Sequence, residues 1–419
     1  MKELLDRSPE VTRRDFARFA AGSFLGLSML PEIKAQAAAA KAKNCIYLFM
    51  SGGMSHMETL DPKPEADGRG LTQTIKTNVP GIQLGQYLPS LARHMDKCAI
   101  VRSINSTQGA HLQGRYFMHT SYAMRGTIVH PSLGAWVNKL SDRSRDIPDF
   151  VKMGGSNKVS GVGFFESKYS PLPVNNPGNG LDNSSLHKDL TQERFDRRLD
   201  LSNQLDQAYR ERYDRKDVRS YTDMYSDAIR LMQSKDLEVF DLSKESDFTR
   251  KSYGDDRLGR ACLLARRLVE NDVRFIQIHD GEWDHHGNIY DRLPDKAGAL
   301  DRVLSALLDD LAARGLLDST LVVLATEFGR TPVINGRGGR NHYPKAFSCL
   351  LAGGGIQGGQ VYGATDKHGR EIIENKVSVP DFNATIAHQM GMPLDLTLFS
   401  PSMRPFQIAH HGKPILDLV

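Results

Sequence analysis

Short, nearly continuous apolar runs alternate along this chain with segments in which apolar residues recur every three or four positions. Continuous apolar runs of this length are typical of strands in a parallel sheet that is covered on both faces. The pattern therefore predicts five buried strands, at 45–50, 98–102, 273–279, 320–325 and 347–351.

Two helices are predicted between these strands from periodic apolar stripes. One stripe precedes the third strand, and a longer one between the third and fourth strands is closed by Gly315, a residue that favours a helix end. The stripes consist of Leu258, Cys262, Ala265 and Val269, and of Leu300, Val303, Leu304, Leu307, Leu308 and Leu311. Alternation of strand and helix predicts an α/β fold, a mostly parallel sheet with helices on both faces.

One internal segment differs from this pattern. Residues 192–237 are highly charged with few aliphatic stripes and follow a Pro/Gly/Asn-rich loop, which predicts a solvated helical insertion at about 185–255. A cap that grips the substrate is the functional alternative for this insertion. Residues 38–419, including this insertion, are expected to form one α/β domain.

The first 37 residues have the order of an export signal. Arg13 and Arg14 precede a mildly apolar run at 16–30, and Ala35-Gln36-Ala37 offers a cleavage site. This order predicts a twin-arginine signal peptide at 1–37, a periplasmic or other extracytoplasmic location, and the twin-arginine export machinery as a partner. A short amphipathic helix is the alternative. No later window has the length of a membrane span, so no transmembrane anchor is expected after cleavage.

Composition narrows the function only slightly. The 419 residues are 40% hydrophobic with a net charge of +4, and the charges are interspersed, so disorder is excluded and nucleic acid is not an expected partner. The four cysteines lie in apolar runs and form no Cys-x-x-Cys motif, which indicates small buried side chains. Their even number also allows disulfide bonds, whose pairing the wide spacing does not define.

The candidate chemistry lies where the predicted strands end, since functional groups collect at the carboxyl ends of strands in open α/β sheets. A glycine pair follows the first strand, and His111 and Arg115 open a helix after the second, a pattern that suits an oxyanion. The segment 279–288 carries three carboxylates and three imidazoles, at the density of a metal site. Beyond the fourth strand are Glu327, Arg330, Arg340 and His342.

Taken together, these motifs resemble those of the bacterial domain-of-unknown-function 1501 family. They are Gly52-Gly53-x-Ser55, Asp61-Pro62-Lys63-Pro64, Trp283-Asp284-x-His286-Gly287-Asn288, Glu327-Phe328-Gly329-Arg330-Thr331-Pro332 and Gly339-Arg340-Asn341-His342-Tyr343-Pro344. The resemblance spans nearly the whole chain after residue 37. The family is grouped with the alkaline phosphatase and sulfatase superfamily, whose members hydrolyse phosphate or sulfate esters with one or two metals, but it has no settled reaction of its own.

The resemblance implies a site that is only half of the superfamily's. Asp284, His286 and His342 match one metal's ligand set, with Asp280 or Glu282 as competing carboxylates. Two of the three usual ligands of the second metal are lost, because Ser51 and Glu327-Phe328 occupy those positions. His111 stands in the place of the nucleophile and Arg115 is retained, so the modified-cysteine chemistry of sulfatases is not supported.

We therefore expect an exported, metal-assisted hydrolase of phosphate or sulfate esters that acts on a small-molecule or glycan substrate. Its cofactor is expected to be a divalent ion (Zn, Mn, Mg or Ca), with His111 as nucleophile or acid/base and arginines that stabilise charge. The candidate ligands are Asp280, Asp284, His286, Glu327 and His342, and the candidate arginines are Arg115, Arg330 and Arg340. A degenerate envelope protein that only binds an anion, and a metal-dependent lyase or transferase acting on envelope sugars, are the alternatives.

Overall fold

The computed structural model describes residues 41–419 except 142, 144, 183, 185, 188 and 213–227, and it does not describe the side chains of 203, 205, 206 and 208–212. The predicted export signal at 1–37 thus lies outside the described residues. Within the described part of the chain, no helix combines the length and the apolar character needed to cross a bilayer.

The described part of the chain contains strands of two to eight residues. In chain order they are β1 (Asn44–Met50), β2 (Thr74–Lys76), β3 (Gln83–Gly85), β4 (Cys98–Asn105), β5 (Phe150–Met153), β6 (Leu172–Val174), β7 (Phe275–Asp280), β8 (Thr320–Ala325), β9 (Gly329–Arg330), β10 (His342–Tyr343), β11 (Phe347–Ala352), β12 (Gln360–Tyr362), β13 (Ala364–Thr365), β14 (Ile372–Glu374), β15 (Val377–Ser378), β16 (Thr397–Phe399) and β17 (Pro405–Gln407). The helices are α1 (His111–Thr120), α2 (Leu133–Ser141), α3 (Gln192–Arg212), α4 (Asp247–Tyr253), α5 (Arg257–Glu270), α6 (Ile289–Ala313) and α7 (Val379–Gln389).

The main sheet has the strand order β12-β4-β11-β8-β1-β7-β5-β6, with β15 also paired to β4. All of these pairs are parallel except those of β11, which runs opposite to both β4 and β8. The fold is therefore a mixed, mostly parallel sheet with helices, which confirms the predicted α/β class.

The central strand β1 separates two hydrophobic layers. Its alternate side chains enter opposite clusters, Ile46 and Leu48 on one face and Tyr47 and Phe49 on the other. Because a strand buried on both faces has no polar side, it appears in the sequence as an uninterrupted apolar run. This is why β1 could be predicted.

Two predicted strand boundaries were wrong by more than one residue. The strand expected at 98–102 extends to Asn105, because Ile104 is paired with both Phe347 and Val377. The strand expected to begin at 273 begins at Phe275, because Asp272 has a φ of 63° and the chain is still turning there. Pairing by neighbouring strands sets these limits, and that pairing leaves no signature in the segment itself.

The predicted helical stripes are confirmed in α5 and α6. Every member of the longer stripe, from Leu300 to Leu311, is fully buried in the cluster that also receives Ile46. Helix α3 lies in the predicted insertion, and most of its described side chains are exposed. All four cysteines are buried and free, and burial raises the pKa of Cys98 and Cys349 to about 12, so these thiols stay protonated.

The burial of α6 generates a stability prediction. Leu304→Ala should lower the free energy of unfolding by about 2–5 kcal/mol, because it leaves a cavity at a fully buried site. The matched control is Leu71→Ala, since Leu71 is 72% exposed and the same truncation should there change stability by less than about 0.5 kcal/mol. Urea unfolding followed by circular dichroism measures both values, and equal losses would contradict this account of the core.

Candidate metal centre

Sheet topology brings the polar loops to one edge. Strand β1 is parallel to both β7 and β8, with Met50 opposite Asp280 and Phe49 opposite Ala325, so all three strands end together. Strand β4 also runs in this direction, since β11 is antiparallel to it and to β8. The amino end of β11 consequently lies at this edge too, and the loop that precedes it joins the loops that follow the other strands.

Asp284 and two histidines meet at this edge. Asp284 and His286 lie in the loop between β7 and α6, and His342 lies on β10, which forms a hairpin with β9. The Nε2 atoms of His286 and His342 are 3.0 Å apart, although 56 residues separate them. Asp284 Oδ1 is 3.1 Å from Nε2 of His286 and 3.6 Å from Nε2 of His342.

His111, the first residue of α1, completes the group. Its Nε2 atom is 3.1 Å from the second carboxylate oxygen, Oδ2, of Asp284. One potential ligand atom from each of the four residues His111, Asp284, His286 and His342 lies within 4.8 Å of the other three. We call these four residues the His/Asp cluster. Its side chains are 24–43% exposed, so the cluster is open to solvent on one side.

The far side of each imidazole contacts an oxygen acceptor. Nδ1 of His111 lies 2.8 Å from a carboxylate oxygen of Glu327, and Nδ1 of His342 lies 2.8 Å from the carbonyl oxygen of Gly109. Nδ1 of His286 is 3.4 Å from the side-chain oxygen of Asn341. A neutral imidazole that donates from Nδ1 keeps its lone pair on Nε2, the arrangement typical of metal-bound histidines.

These lone pairs provide a test of whether the residues fit a cation. With Nδ1 as the donor in each ring, three Nε2 lone pairs and a carboxylate all face one point. The two Nε2 atoms that are 3.0 Å apart then have no proton to share. Nε2 of His111 likewise has no hydrogen-bond partner, although it is buried. A divalent cation at this point would satisfy all four groups, so the donor set fits a metal.

Arg330 holds the carboxylate of this cluster. Its guanidinium is fully buried and donates to Asp284 Oδ1, a contact that the hairpin register supports by pairing Arg330 with His342. Burial acts to raise the pKa of Asp284, but the hydrogen bond and charge of Arg330 outweigh it, with smaller contributions from His111 and His286, so the pKa is lowered. Asp284 is consequently ionised at neutral pH. Arg330 therefore contacts the His/Asp cluster by holding the carboxylate of Asp284 in place.

Other candidate residues lie outside the His/Asp cluster. Asp280 accepts from Nε1 of Trp283 at 2.9 Å and pairs with Lys296, so its carboxylate is already satisfied. Glu282 has an 89% exposed side chain whose ion pair with Lys296 is 3.9 Å long. The structure thus does not bring either carboxylate to the four ligand atoms.

Glu327 and Arg115 lie beside the cluster. Oε1 of Glu327, which is fully buried, accepts from the backbone N–H of Gly52 at 2.9 Å as well as facing His111. Arg115 donates from Nε to the carbonyl of His111 at 3.1 Å, and its Nη1 lies 3.5 Å from Oγ of Ser51. Glu327 therefore orients the candidate ligand His111, and Arg115 lies one helical turn beyond His111 on α1.

The expected role of Arg340 in stabilising charge does not agree with its position. Its fully buried guanidinium forms an ion pair with the equally buried Glu58, at 2.6 Å, and donates to the carbonyls of Thr331 and Pro332. No donor of Arg340 is directed toward the His/Asp cluster in this network. Arg340 instead secures the loop between β9 and β10, which carries His342 into place.

Sequence reasoning missed one residue of this region and the packing role of another. Glu58 is the buried partner of Arg340, and nothing in its neighbourhood distinguishes it from a solvated acid. Gly52 has a φ of 124°, and a Cβ placed on it would lie 2.5 Å from the backbone nitrogen of Asp284. The glycine pair, which the sequence placed after the first strand, is therefore needed for close packing of two loops.

The fold and the site together define an α/β protein with a candidate metal centre at the carboxyl edge of its parallel strands. The chain belongs to the DUF1501 family, described as "Protein of unknown function", whose model matches residues 42–419. This confirms the resemblance seen in the motifs. No curated protein sequence matches the chain.

Solved structures with a similar fold are distant in sequence. The PsFucS1 sulfatase from Pseudoalteromonas sp. is 14% identical, with a TM-score of 0.42 over 87% of this chain and 73% of that one. An alkaline phosphatase-superfamily protein from Vibrio parahaemolyticus is 10% identical, with a TM-score of 0.38 over 89% and 69%. The alkaline phosphatase of the Antarctic bacterium TAB5 is 11% identical, with a TM-score of 0.35 over 77% and 95%.

The buried pair Glu58–Arg340 generates a second prediction. Arg340→Ala should lower the free energy of unfolding by about 3–5 kcal/mol, because it leaves the fully buried carboxylate of Glu58 without its partner. Arg337→Ala in the same loop is the control, since Arg337 is exposed and its loss should cost less than about 0.5 kcal/mol. Chemical denaturation measures both, and a stable Arg340→Ala variant would return Arg340 to the candidate substrate-binding groups.

Proposed function

We propose that this chain is a metal-dependent hydrolase of phosphate or sulfate esters. The observation that carries the proposal is the convergence of Nε2 atoms from His111, His286 and His342 on the carboxylate of Asp284. The family resemblance stated above supports the same reaction class.

The donor set narrows the choice of metal ion. Mg²⁺ and Ca²⁺ prefer oxygen ligands, whereas three imidazole nitrogens with one carboxylate suit Zn²⁺ or another transition ion such as Mn²⁺. The ion would act as a Lewis acid that polarises an oxygen of the ester. We assign His111 to the ligands and not to the nucleophile, because its Nε2 faces Asp284 while its Nδ1 is held by Glu327.

The chain's own residues would bind and orient the anionic group. The first turn of α1 presents backbone N–H groups at this edge, and its N-cap, Ala110, supplies no capping side chain. A helix N-terminus attracts anions through these N–H groups and the helix dipole. Arg115 adds a guanidinium one turn along the helix, held in place by its bond to the carbonyl of His111. These groups favour a tetrahedral oxyanion as the part of the substrate that is recognised.

A binding protein without turnover is the second candidate, and one observation favours it. The described residues contain a single potential metal cluster, while the side chains expected beside a second metal are a neutral Ser51 and a Glu327 already occupied by His111 and Gly52. A protein with one ion and an anion pocket could serve in the cell envelope by binding alone. Measured turnover separates the two candidates.

The metal proposal is tested by removing one ligand. We expect the purified mature protein to contain about one equivalent of a transition metal and the His342→Ala variant to lose most of it, because the variant lacks one of the four protein ligands that hold the ion. His187→Ala is the matched control, since His187 is 71% exposed and lies outside the cluster. Elemental analysis by mass spectrometry measures metal content, and unchanged metal in His342→Ala would overturn the proposed site.

The same protein samples test catalysis. Aryl phosphate, phosphodiester and aryl sulfate substrates should reveal turnover in the wild type that is lost on chelation and in His342→Ala, and that returns to the chelated wild type on adding the metal found. Metal bound at one equivalent with no turnover on the whole panel would favour the binding protein. Turnover that persists after complete metal removal would exclude the metal-dependent mechanism.

We also propose that the protein is exported by the twin-arginine route and acts on a small-molecule or glycan ester outside the cytoplasm. Replacing both Arg13 and Arg14 by lysine should leave the precursor in the cytoplasm, because the export receptor reads the arginine pair and not merely positive charge. Lys41→Arg is a control outside the signal. Mass spectrometry of the extracytoplasmic fraction should find an N-terminus near Ala38, and an exported double variant that retains Met1 would refute the signal.

A further inference from the structure

A cavity of about 190 Å³ lies at the C-terminal end of α1, on the other end of the helix from His111. Its lining includes Tyr122, Arg125, His130, Phe406 and His410. Helix α1 has 10 residues, and at about 1.5 Å per residue the two ends lie roughly 15 Å apart. The cavity is therefore distinct from the His/Asp cluster.

Aromatic rings form its wall. The rings of Tyr122 and His130 are stacked with centroids 4.4 Å apart and an interplanar angle of 3°, and the ring of His410 lies 4.2 Å from that of Tyr122. Phe406 meets both stacked rings edge-on, at 5.3 and 4.9 Å. The hydroxyl of Tyr122 donates to the carbonyl of Gln407 and accepts from its N–H, at 2.8 and 3.0 Å, so this wall is fixed before any ligand arrives.

His130 supplies an unused donor in this wall. The hydroxyl of Tyr116 accepts from the backbone N–H of His130 at 2.7 Å, so its own proton is directed to Nδ1 of the same histidine, also at 2.7 Å. With Nδ1 as acceptor, the neutral ring carries its proton on Nε2. That N–H forms no hydrogen bond with any described residue, and its nitrogen is not among the fully buried side-chain atoms without a partner, so it is accessible from the cavity that His130 lines. A donor that is accessible and has no partner within the described chain can bind an acceptor that enters the cavity.

The charges around the cavity are all of one sign. Arg125 has no ion pair within the described chain, and none of the described residues that line the cavity is acidic. Burial, with smaller contributions from the nearby charges of Arg125 and His410, lowers the pKa of His130 to about 4, which places Arg125 close to this ring. The pKa of His410 is lowered by burial, then by His411 and Arg125. An uncompensated guanidinium beside free N–H donors favours an anionic ligand.

The backbone is strained where it presents His410. Ala409, His410 and His411 have φ values of 58°, 45° and 61°, which side chains other than glycine rarely adopt in succession. Such runs persist only where surrounding structure enforces them, and they are concentrated at ligand sites. Here the run follows β17, whose Phe406 and Gln407 belong to the same wall.

We propose that this cavity is a second binding site, for a small molecule that carries an oxyanion group, with Arg125 and Nε2–H of His130 as its donors and the Tyr122 and Phe406 rings as its wall. At about 190 Å³, the cavity has room for a phosphate or for a carboxylate that carries a small ring. The site goes beyond the proposed hydrolase and does not depend on it.

The test uses the full-length mature protein in the Asp284→Asn background, so that the His/Asp cluster does not dominate anion binding. Inorganic phosphate and benzoate are titrated, with benzyl alcohol as the uncharged counterpart of benzoate. Ring signals of ¹³C-labelled histidine report where binding occurs, once those of His130 and His410 are assigned from single substitutions. Arg125→Ala removes the charge at an exposed position, and Arg93→Ala, also exposed, is the matched control.

We expect phosphate, benzoate or both to shift the His130 and His410 signals saturably, with affinity at least about tenfold weaker in Arg125→Ala and unchanged in Arg93→Ala. A response to phosphate alone would identify inorganic oxyanions as the ligand, and a response to benzoate alone would identify carboxylates. The proposal is overturned if neither anion shifts these signals, if Arg125→Ala binds as tightly as its parent, or if benzyl alcohol binds as tightly as benzoate.

Discussion

The buried guanidinium of Arg330 joins the loops around the candidate metal centre. It donates to the carbonyls of Gly52 and Gly53 after β1, to the carbonyl of Arg340 in the loop between β9 and β10, and to the carboxylate of Asp284 after β7. A cation without solvent requires a charged partner, and Asp284 is the carboxylate that it contacts. The position of the candidate ligand Asp284 is therefore set by the packing of Arg330 as much as by its own loop.

The orientation of the histidines depends on a second layer of contacts. Glu327 links three elements, since it follows β8, faces Nδ1 of His111 on α1 and accepts the backbone N–H of Gly52 after β1. Gly109, just before α1, holds His342 through its carbonyl oxygen. The helix that carries one candidate ligand thus begins beside the group that orients another, and displacement of α1 would disturb both histidines together.

The sequence was informative where burial and chain direction decide the structure. Strands such as β1 appear as apolar runs because both faces are covered, and parallel strands bring their following loops together, which is why Asp284, His286 and His342 could be expected to meet. His111 was expected at the same edge as a nucleophile or acid/base, but its place among the candidate ligands could not be anticipated, because it depends on how α1 is placed against the loop after β8. The contacts of Arg340 with Glu58 and with backbone carbonyls leave no periodic signal, so its burial was invisible in the sequence.

The antiparallel strand β11 has a consequence for the order in which the protein assembles. Because β11 runs against its neighbours, His342 reaches the edge ahead of a strand and not behind one, and 231 positions separate it from His111. Contacts between residues so far apart in the chain form slowly relative to local helices, because a long loop must first close. The cluster is consequently complete only after synthesis has passed β11 and the sheet has closed around β1, so its ligand geometry is a marker of the finished fold that no truncated product ending before His342 could display.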